Sequence, residues 1–486
     1  MSVPCSILVD FHDDILSTIF LHCLPDDPLQ IALSPTEAPL LLTHICQRWR
    51  TLAYHQPRLW EWLTLNQKCA AAGSDSEQLD SQQEADAKDA WIQWILGLSK
   101  GVPFKLQINN LSPARGTVRI TPLHILSGLC TTTMTRLSLR GVSSQSFAPL
   151  TSTSFPALEY LVLALQNEGM GTTLNIFENC PRLRRAAIYN YHTTLPVTYG
   201  VKLPWAQLTH LAYHLTSNQK HFFEMCLPLC SRLEWLSLSL TFDQSSTPVP
   251  CTLATIRSLA IDFTAGSWTI FFPHFFRYFS FPKLRSLALK ADTFSSARAL
   301  SDSFSAEELQ DFQSKLQTEF TLLTHLTFSL RVLEHERMAD LDWILQCTSR
   351  LESIDIQLEN LAQYGRTLKR LYETNFSILP NLNTLFLDIR CLYEPVLTTL
   401  TDYFKRQSPL ADQSSPGPRL ERLVAYNVGR PLSGNFPKFL ETITTLNPDL
   451  KAETREWRGI YGHWLDKDPE VEDWRESVLT PRKWWV

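Results

Sequence analysis

The sequence predicts an α/β chain built as an irregular repeat. Parallel strands line a concave side, helices a convex side, and a small all-α module stands in front. The first observation is a pattern, L-x-x-L-x-L, that opens at Met134, Leu158, Leu183, Leu208, Leu233, Ile256, Leu284, Leu323, Leu351, Leu382 and Leu420. The second is the spacing: the first four steps are 24, 25, 25 and 25 residues, before one of 23 and then longer, less regular ones. A fixed period in this range marks stacked units. The third is a change of pattern before residue 66, where apolar residues recur at helical spacing.

One copy shows the physics. In Leu233-Glu234-Trp235-Leu236-Ser237-Leu238, alternate side chains share a face of the strand. Leu236 and Leu238 therefore point one way, and Leu233 closes the turn before them. A single strand cannot bury these three residues, but stacked neighbours can. Between strands, Phe222, Phe223, Cys226 and Leu227 carry helix-like spacing, so each unit reads as strand plus helix. Period and pattern resemble an irregular leucine-rich-repeat solenoid, without the usual asparagine after the strand.

At 486 residues the chain is long enough for several domains, or for one long array with an accessory. A net charge of −5 gives no electrostatic reason to expect nucleic acid or an anionic membrane as partner. Eleven cysteines include no C-x-x-C pair. Several sit just ahead of a strand, as in Cys180-Pro-Arg-Leu183, Cys230-Ser-Arg-Leu233 and Cys347-Thr-Ser-Arg-Leu351. They read as small buried hydrophobes rather than metal or redox groups, a usage that suits a reducing cytoplasm or nucleus. The run Ile7-Leu8-Val9 is too short for a signal peptide. Ile270 to Phe281 is interrupted by Pro273, His274 and Arg277, so no membrane span is expected.

Residues 1–65 form the N-terminal module. Asp14 to Leu24 reads as a helix, stopped by Pro25-Asp26-Asp27-Pro28. A second helix is expected from about Glu37 to Tyr54, with Pro39 in its first turn and Leu41, Ile45, Trp49 and Leu52 as one stripe. Pro57-Arg58-Leu59-Trp60 and a short strand, Trp62 to Leu65, follow. The segment Asp14-Ile15-Leu16-Ser17-Thr18-Ile19-Phe20 resembles the first helix of an F-box. Ile45-Cys46-Gln47-Arg48-Trp49-Arg50-Thr51-Leu52-Ala53 resembles its V-C-(K/R)-x-W-R-x-L-A signature, and Pro57 to Trp60 its closing P-x-L-W. The long insertion between the halves is similar to the F-box-like proteins of mushroom-forming fungi. The family usually opens on Leu-Pro, where this chain has Phe11-His12. His12 lacks proline's fixed φ, which implies a weaker grip on the adaptor.

The resemblance implies that this module docks a Skp-type adaptor and through it a cullin. Its docking or module-core residues are then Phe11, Ile15, Leu16, Ile19, Phe20, Leu41, Ile45, Trp49, Leu52, Leu59 and Trp60. The chain would be a non-catalytic substrate-recognition subunit of an SCF-type ubiquitin ligase, monomeric within its complex, with a target protein held on the array. The competing reading is a helical cap over the end of the repeat, in a binding scaffold unconnected to ubiquitin transfer.

Asn66 to Lys88 lacks an apolar period and reads as a mildly acidic linker. Ala90 to Leu98 reads as a short helix with Trp91, Trp94, Ile95 and Leu98 on one face. The array spans 99–446, with Phe104 to Ile108 as its first rung. Ser305 and Glu308 form a capping-box pair ahead of Leu309, Phe312, Leu316 and Phe320. The Ser- and Pro-rich loop from Ser408 to Pro418 is a site for proteolysis or modification. Residues 447–486 carry Trp457, Trp464, Trp474, Trp484 and Trp485 among charges of both signs. They form either a C-terminal cap or a partner-binding tail.

No catalytic motif is present: no G-x-G-x-x-G, no G-K-[ST] loop, no H-E-x-x-H and no G-x-S-x-G. No cofactor and no metal site are expected, because His210, His214 and His221 lack the further ligands a site needs. The outward side of the strands is more informative. Third positions include Tyr160, Arg185, His210 and Trp235, with Tyr189 and His214 just beyond. Fifth positions are small: Ala187, Ala212, Ser237, Ala260 and Ala288. Aromatic and arginine side chains anchor interfaces, so these six larger residues are the predicted target-binding surface. The plainer alternative is ordinary surface, partly covered by loops.

Overall fold

In the computed structural model of the chain, every opening residue of the repeat is buried, and from Leu158 onward each strand begins two residues after it. The local cause recurs from rung to rung. The opening residue's N–H donates to the carbonyl three residues back: Leu183 to Cys180 at 3.1 Å, Leu233 to Cys230 at 3.3 Å, Leu323 to Phe320 at 3.0 Å. That tight turn releases the chain into the extended state. The next N–H groups then reach the preceding rung, as Glu234 and Trp235 reach the Thr209 carbonyl at 2.9 and 3.1 Å. The residue at the start of the turn is also buried at Phe155, Cys180, Trp205, Cys230, Phe281 and Phe320. Each of these turns is thus held at both ends by apolar burial.

The structure describes residues 11–24, 35–68, 90, 93–111 (except 96 and 100), 133–143, 147, 150, 153–166, 174–190, 201–215, 222–241, 250–265, 268–291, 305–330, 344–358, 379–388, 394–407, 420–427 and 435–456. Contacts divide the chain into two compact units, one reaching to Leu208 and the other made almost entirely of the residues after it.

The first unit begins with helices α1 (Asp13–His22), α2 (Leu40–Ile45) and α3 (Gln47–His55) and a 3-10 turn, Pro57–Trp60. Five strands follow: β1 (Trp62–Lys68), β2 (Phe104–Leu111), β3 (Met134–Ser143), β4 (Tyr160–Gln166) and β5 (Arg185–Asn190). They lie in chain order and pair in parallel. Leu63, Leu106, Leu137, Leu161 and Ala186 are in register, forming one buried column. A bulge interrupts β3 after Arg140. Gly141 occupies it at φ 67°, a backbone angle that a side chain resists.

Among the described residues, the second unit holds nine further parallel strands of the large sheet: β6 (His210–Leu215), β7 (Trp235–Thr241), β8 (Ser258–Ala265), β9 (Ser286–Ala291), β10 (His325–Leu330), β11 (Ser353–Leu358), β12 (Thr384–Asp388), β13 (Arg422–Asn427) and β14 (Lys451–Glu456). Helices α4 (Trp268–Tyr278), α5 (Ala306–Glu319), α6 (Glu394–Gln407) and α7 (Asn435–Leu446) connect some of them. The apolar run around Ile270 is core: Phe272, Phe275 and Phe276 of α4 are buried, and Phe275 lies 4.9 Å from Phe279 and 5.8 Å from Phe281. No helix of the described residues is long and apolar enough to cross a membrane. The capping box is present: Ser305 Oγ accepts the Glu308 N–H, and Glu308 returns a carboxylate to the Ser305 N–H.

Several expectations are corrected. Parallel strands extend beyond 99–446, because Trp62–Lys68 pairs with β2 and Lys451–Glu456 with β13. Phe104 therefore lies on the second rung, and Asn66 to Lys68 is strand rather than linker. The second N-terminal helix is broken at Cys46, whose backbone is extended. Pro39 is the cap before α2 rather than part of its first turn. Strand plus helix does not hold in every unit. A step of 25 residues leaves room for a single-turn π-helix, Phe222–Cys226, whereas the 39-residue step from Leu284 houses the 14 residues of α5. The loop from Ser408 to Pro418, Trp91 and the five C-terminal tryptophans lie outside the described residues.

Candidate functional site

The N-terminal helices have a buried side and an exposed side. Leu16 and Phe20 of α1 are fully buried, and Phe20 packs on Trp49 at 4.9 Å between ring centroids. Trp60 is buried, its Nε1 donating to the Ala53 carbonyl at 2.9 Å. Arg48 fastens α3 to the start of α1, donating to Asp13 and to the Phe11 carbonyl. Arg50 spans the break at Cys46, its Nε 2.8 Å from the Thr43 carbonyl. Cys46 caps α3, its Sγ accepting the Trp49 N–H at 3.5 Å.

Among the described residues of this module, three large apolar side chains are exposed: Ile15 at 47%, Leu41 at 40% and Ile45 at 51%. Leu41 and Ile45 are one turn apart on α2 and so share a side of it. Burying one such residue is worth about 1.5–3 kcal/mol, and exposed apolar clusters mark interaction surfaces. The eleven predicted residues thus sort by exposure. Leu16, Phe20, Leu59 and Trp60 are buried; Phe11, Ile19, Trp49 and Leu52 are half-buried; Ile15, Leu41 and Ile45 are exposed. His12 has φ −61° and ψ 146°, within the range proline imposes. The missing proline therefore leaves the backbone where proline would put it.

The predicted target-binding residues are less accessible than expected. In the first unit Tyr160 and Tyr189 are buried, and Arg185 is half-buried. In the second unit Trp235 is 3% exposed, which corrects the expectation of an exposed tryptophan. His210 is half-buried, its ring 6.4 Å from that of Trp235 and nearly parallel to it. The side chain of His214, and His221, lie outside the described residues. The physical reason lies in the register. In-register parallel strands are about 4.8 Å apart, so each large outward side chain is flanked by the next rung's. The small fifth-position residues Ala187, Ala212, Ser237, Ala260 and Ala288 are fully buried between these columns.

The sequence reading missed the outward face of the first unit. Trp62, Lys105, Arg136, Tyr160 and Arg185 are in register across β1 to β5. The Arg136 guanidinium lies 4.8 Å from the Trp62 ring centroid and 4.3 Å from that of Tyr160, while Lys105 Nζ lies 4.9 Å from Trp62. Thr64, Gln107 and Ser138 form the next column and are all buried. The available signal was Arg136 at the third position of the Met134 copy. It went unread because the two rungs before it break the 25-residue period.

Among the described residues, no group of three His, Cys, Asp or Glu is placed to hold a metal ion. Cys180, Cys230 and Cys347 are buried, as their places before the strands predicted. Burial pushes all three thiols up to about 12, and Cys226 to about 11. At neutral pH they are protonated and poor nucleophiles. A comparison with protein-family models finds no match to this chain, and a comparison with curated proteins finds none either.

Proposed function

We propose that the chain is the substrate-recognition subunit of an SCF-type ubiquitin ligase, an irregular leucine-rich-repeat solenoid behind an F-box-like module. The module docks a Skp-type adaptor, and the repeat array holds a target protein near the ubiquitin-charged enzyme of the complex. The chain itself performs no chemistry in this reading. It raises the effective concentration of a target for a reaction carried out elsewhere, in the cytoplasm or nucleus.

The observation that carries this reading is the exposure of Ile15, Leu41 and Ile45 on helices anchored from behind by Leu16, Phe20, Leu59 and Trp60. It joins the F-box-like residue pattern, which lies on those same helices. Co-purification with a Skp-type adaptor tests it: wild type retains the adaptor, and an Ile15→Asp/Ile45→Asp variant of unchanged melting temperature does not. Failure of both wild type and a Phe11→Leu/His12→Pro variant to retain any adaptor overturns it.

A second reading, a scaffold whose front helices only cap the array, is favoured by one observation. Pro57–Trp60 runs directly into β1, and Tyr54 and Trp60 pack on Trp94 at 5.2 and 6.5 Å. The packing on Trp94 comes from α3 and the turn after it, and the exposed residues stand on α1 and α2, so the adaptor test separates a cap that also docks from a cap alone.

A further inference from the structure

The strands of the first unit carry an unusual charge. Among the residues of β1 to β5 stand Lys68, Lys105, Arg136, Arg140 and Arg185, and no aspartate or glutamate. The strands β6 to β14 of the second unit balance Lys290, Arg422, Lys451 and Arg455 against Asp262, Asp355, Asp388, Glu453 and Glu456. In a chain of net charge −5, a carboxylate-free set of five strands is a local departure. The nearest acids in sequence stand just before the strands: Glu61 before β1, which pairs with Lys105 at 3.7 Å, and Glu159 before β4.

A second, independent observation lies beside these cations. Thr64 Oγ1, Gln107 Oε1 and Ser138 Oγ are buried and have no hydrogen-bond partner. They occupy one column across β1, β2 and β3. Buried polar atoms are normally satisfied, because leaving them bare forfeits their solvation. Three adjacent ones, flanked by the Lys105–Arg136 column, form a polar floor under a cationic rim. Lys105 and Arg185 on that rim are half-exposed.

We propose that this face of β1 to β5 binds an extended acidic segment of the target protein, its carboxylates pairing with Lys105, Arg136 and Arg185 and accepting from the Thr64 and Ser138 hydroxyls. The inference rests on the reading of the array as the target-holding part. The spacing suits a peptide: Lys105 and Arg136 are one rung apart, about 4.8 Å, and Arg136 and Arg185 two rungs, about 10 Å. Charge complementarity selects an acidic partner. Nucleic acid is disfavoured because the faces of Trp62 and Tyr160 are already covered by Arg136 instead of being open to stack bases.

The test is fluorescence anisotropy of the full chain with labelled deca-glutamate, deca-glutamine and oligo-uridylate. Deca-glutamate binds saturably and more weakly as salt is raised, and deca-glutamine does not bind. A Lys105→Gln/Arg185→Gln variant weakens it about tenfold, and Ser138→Ala weakens it without altering the salt dependence, both at unchanged melting temperature. No deca-glutamate binding, equal binding of deca-glutamine, tighter binding of oligo-uridylate, or indifference to both variants overturns the proposal. So does displacement by inorganic phosphate at equal concentration, which would mark a small-anion site. Adaptor capture is measured in parallel. Capture without peptide binding overturns this inference alone, and peptide binding without capture supports it while overturning the ligase reading.

Discussion

Arg48 holds Asp13 through two of its guanidinium nitrogens, Nε at 3.1 Å and one terminal nitrogen at 2.5 Å. The same terminal nitrogen reaches the Phe11 carbonyl at 2.6 Å. One arginine thus ties α3 both to the first turn of α1 and to the residue before its cap. The pair is partly exposed, so its worth is modest. Arg48→Ala lowers stability by about 1 kcal/mol in urea unfolding. Part of that loss persists at high salt, because the bond to a neutral carbonyl is not screened. A loss that vanishes entirely in 1 M salt would assign the effect to the ion pair alone.

His12→Pro is expected to be tolerated. His12 already has φ −61°, and a proline placed where the native backbone suits it stabilises by about 0.4–1 kcal/mol through the unfolded state. The variant unfolds at slightly higher urea than wild type. On the ligase reading, adaptor affinity stays within about threefold, since proline leaves the backbone at residue 12 where it is. A destabilised His12→Pro would show that the cap geometry is wrong.

Stability should decline in alkali. The folded-state pKa of Cys180, Cys230 and Cys347 is raised from 9.0 to about 12 by burial. The contribution of these protonated thiols is whole below the unfolded pKa near 9 and is lost as pH rises toward 12, because the unfolded chain then binds fewer protons than the native one. Tyr213 and Tyr403, also raised by burial, act in the same sense. Urea midpoints at pH 8, 9 and 10 check the slope. In native protein a thiol reagent labels the exposed Cys23 and Cys46 before any of the buried three.

Ser305→Ala removes one half of the capping box at the start of α5. The expected cost is about 1 kcal/mol. Glu308, held below the usual carboxylate range first by the Ser305 backbone N–H and then by its hydroxyl, keeps the backbone bond and loses the hydroxyl's. Its stabilising contribution, present above the unfolded glutamate pKa and lost on acidification, therefore shrinks in the variant without vanishing. Chemical denaturation of both proteins at pH 7 and pH 4 measures the difference.

The repeat was legible because its period is local. Each opening residue, the turn before it and the start of the strand after it are set within six residues, and from Leu158 to Leu382 they fold as read. What was not legible depends on neighbours distant in sequence. Trp235 looked exposed because alternation puts it opposite Leu236. Its burial comes from the next rungs, His210 among them, and no pattern within one strand reports those. The rungs at Trp62 and Lys451 were missed because the chain before and after them departs from the 25-residue period. In the N-terminal helices, spacing alone made Leu41, Ile45, Trp49 and Leu52 one stripe. The extended backbone of Cys46 divides them, leaving Leu41 and Ile45 outside and Trp49 packed on Phe20.

The most direct test of the ligase reading is a calorimetric titration of the full chain with a purified Skp-type adaptor. The account predicts saturable one-to-one binding with a negative heat-capacity change from burial of Ile15, Leu41 and Ile45. It also predicts at least about tenfold weaker binding by the Ile15→Asp/Ile45→Asp variant. Absence of binding by both wild type and the Phe11→Leu/His12→Pro variant, or undiminished binding by the aspartate variant, would contradict it.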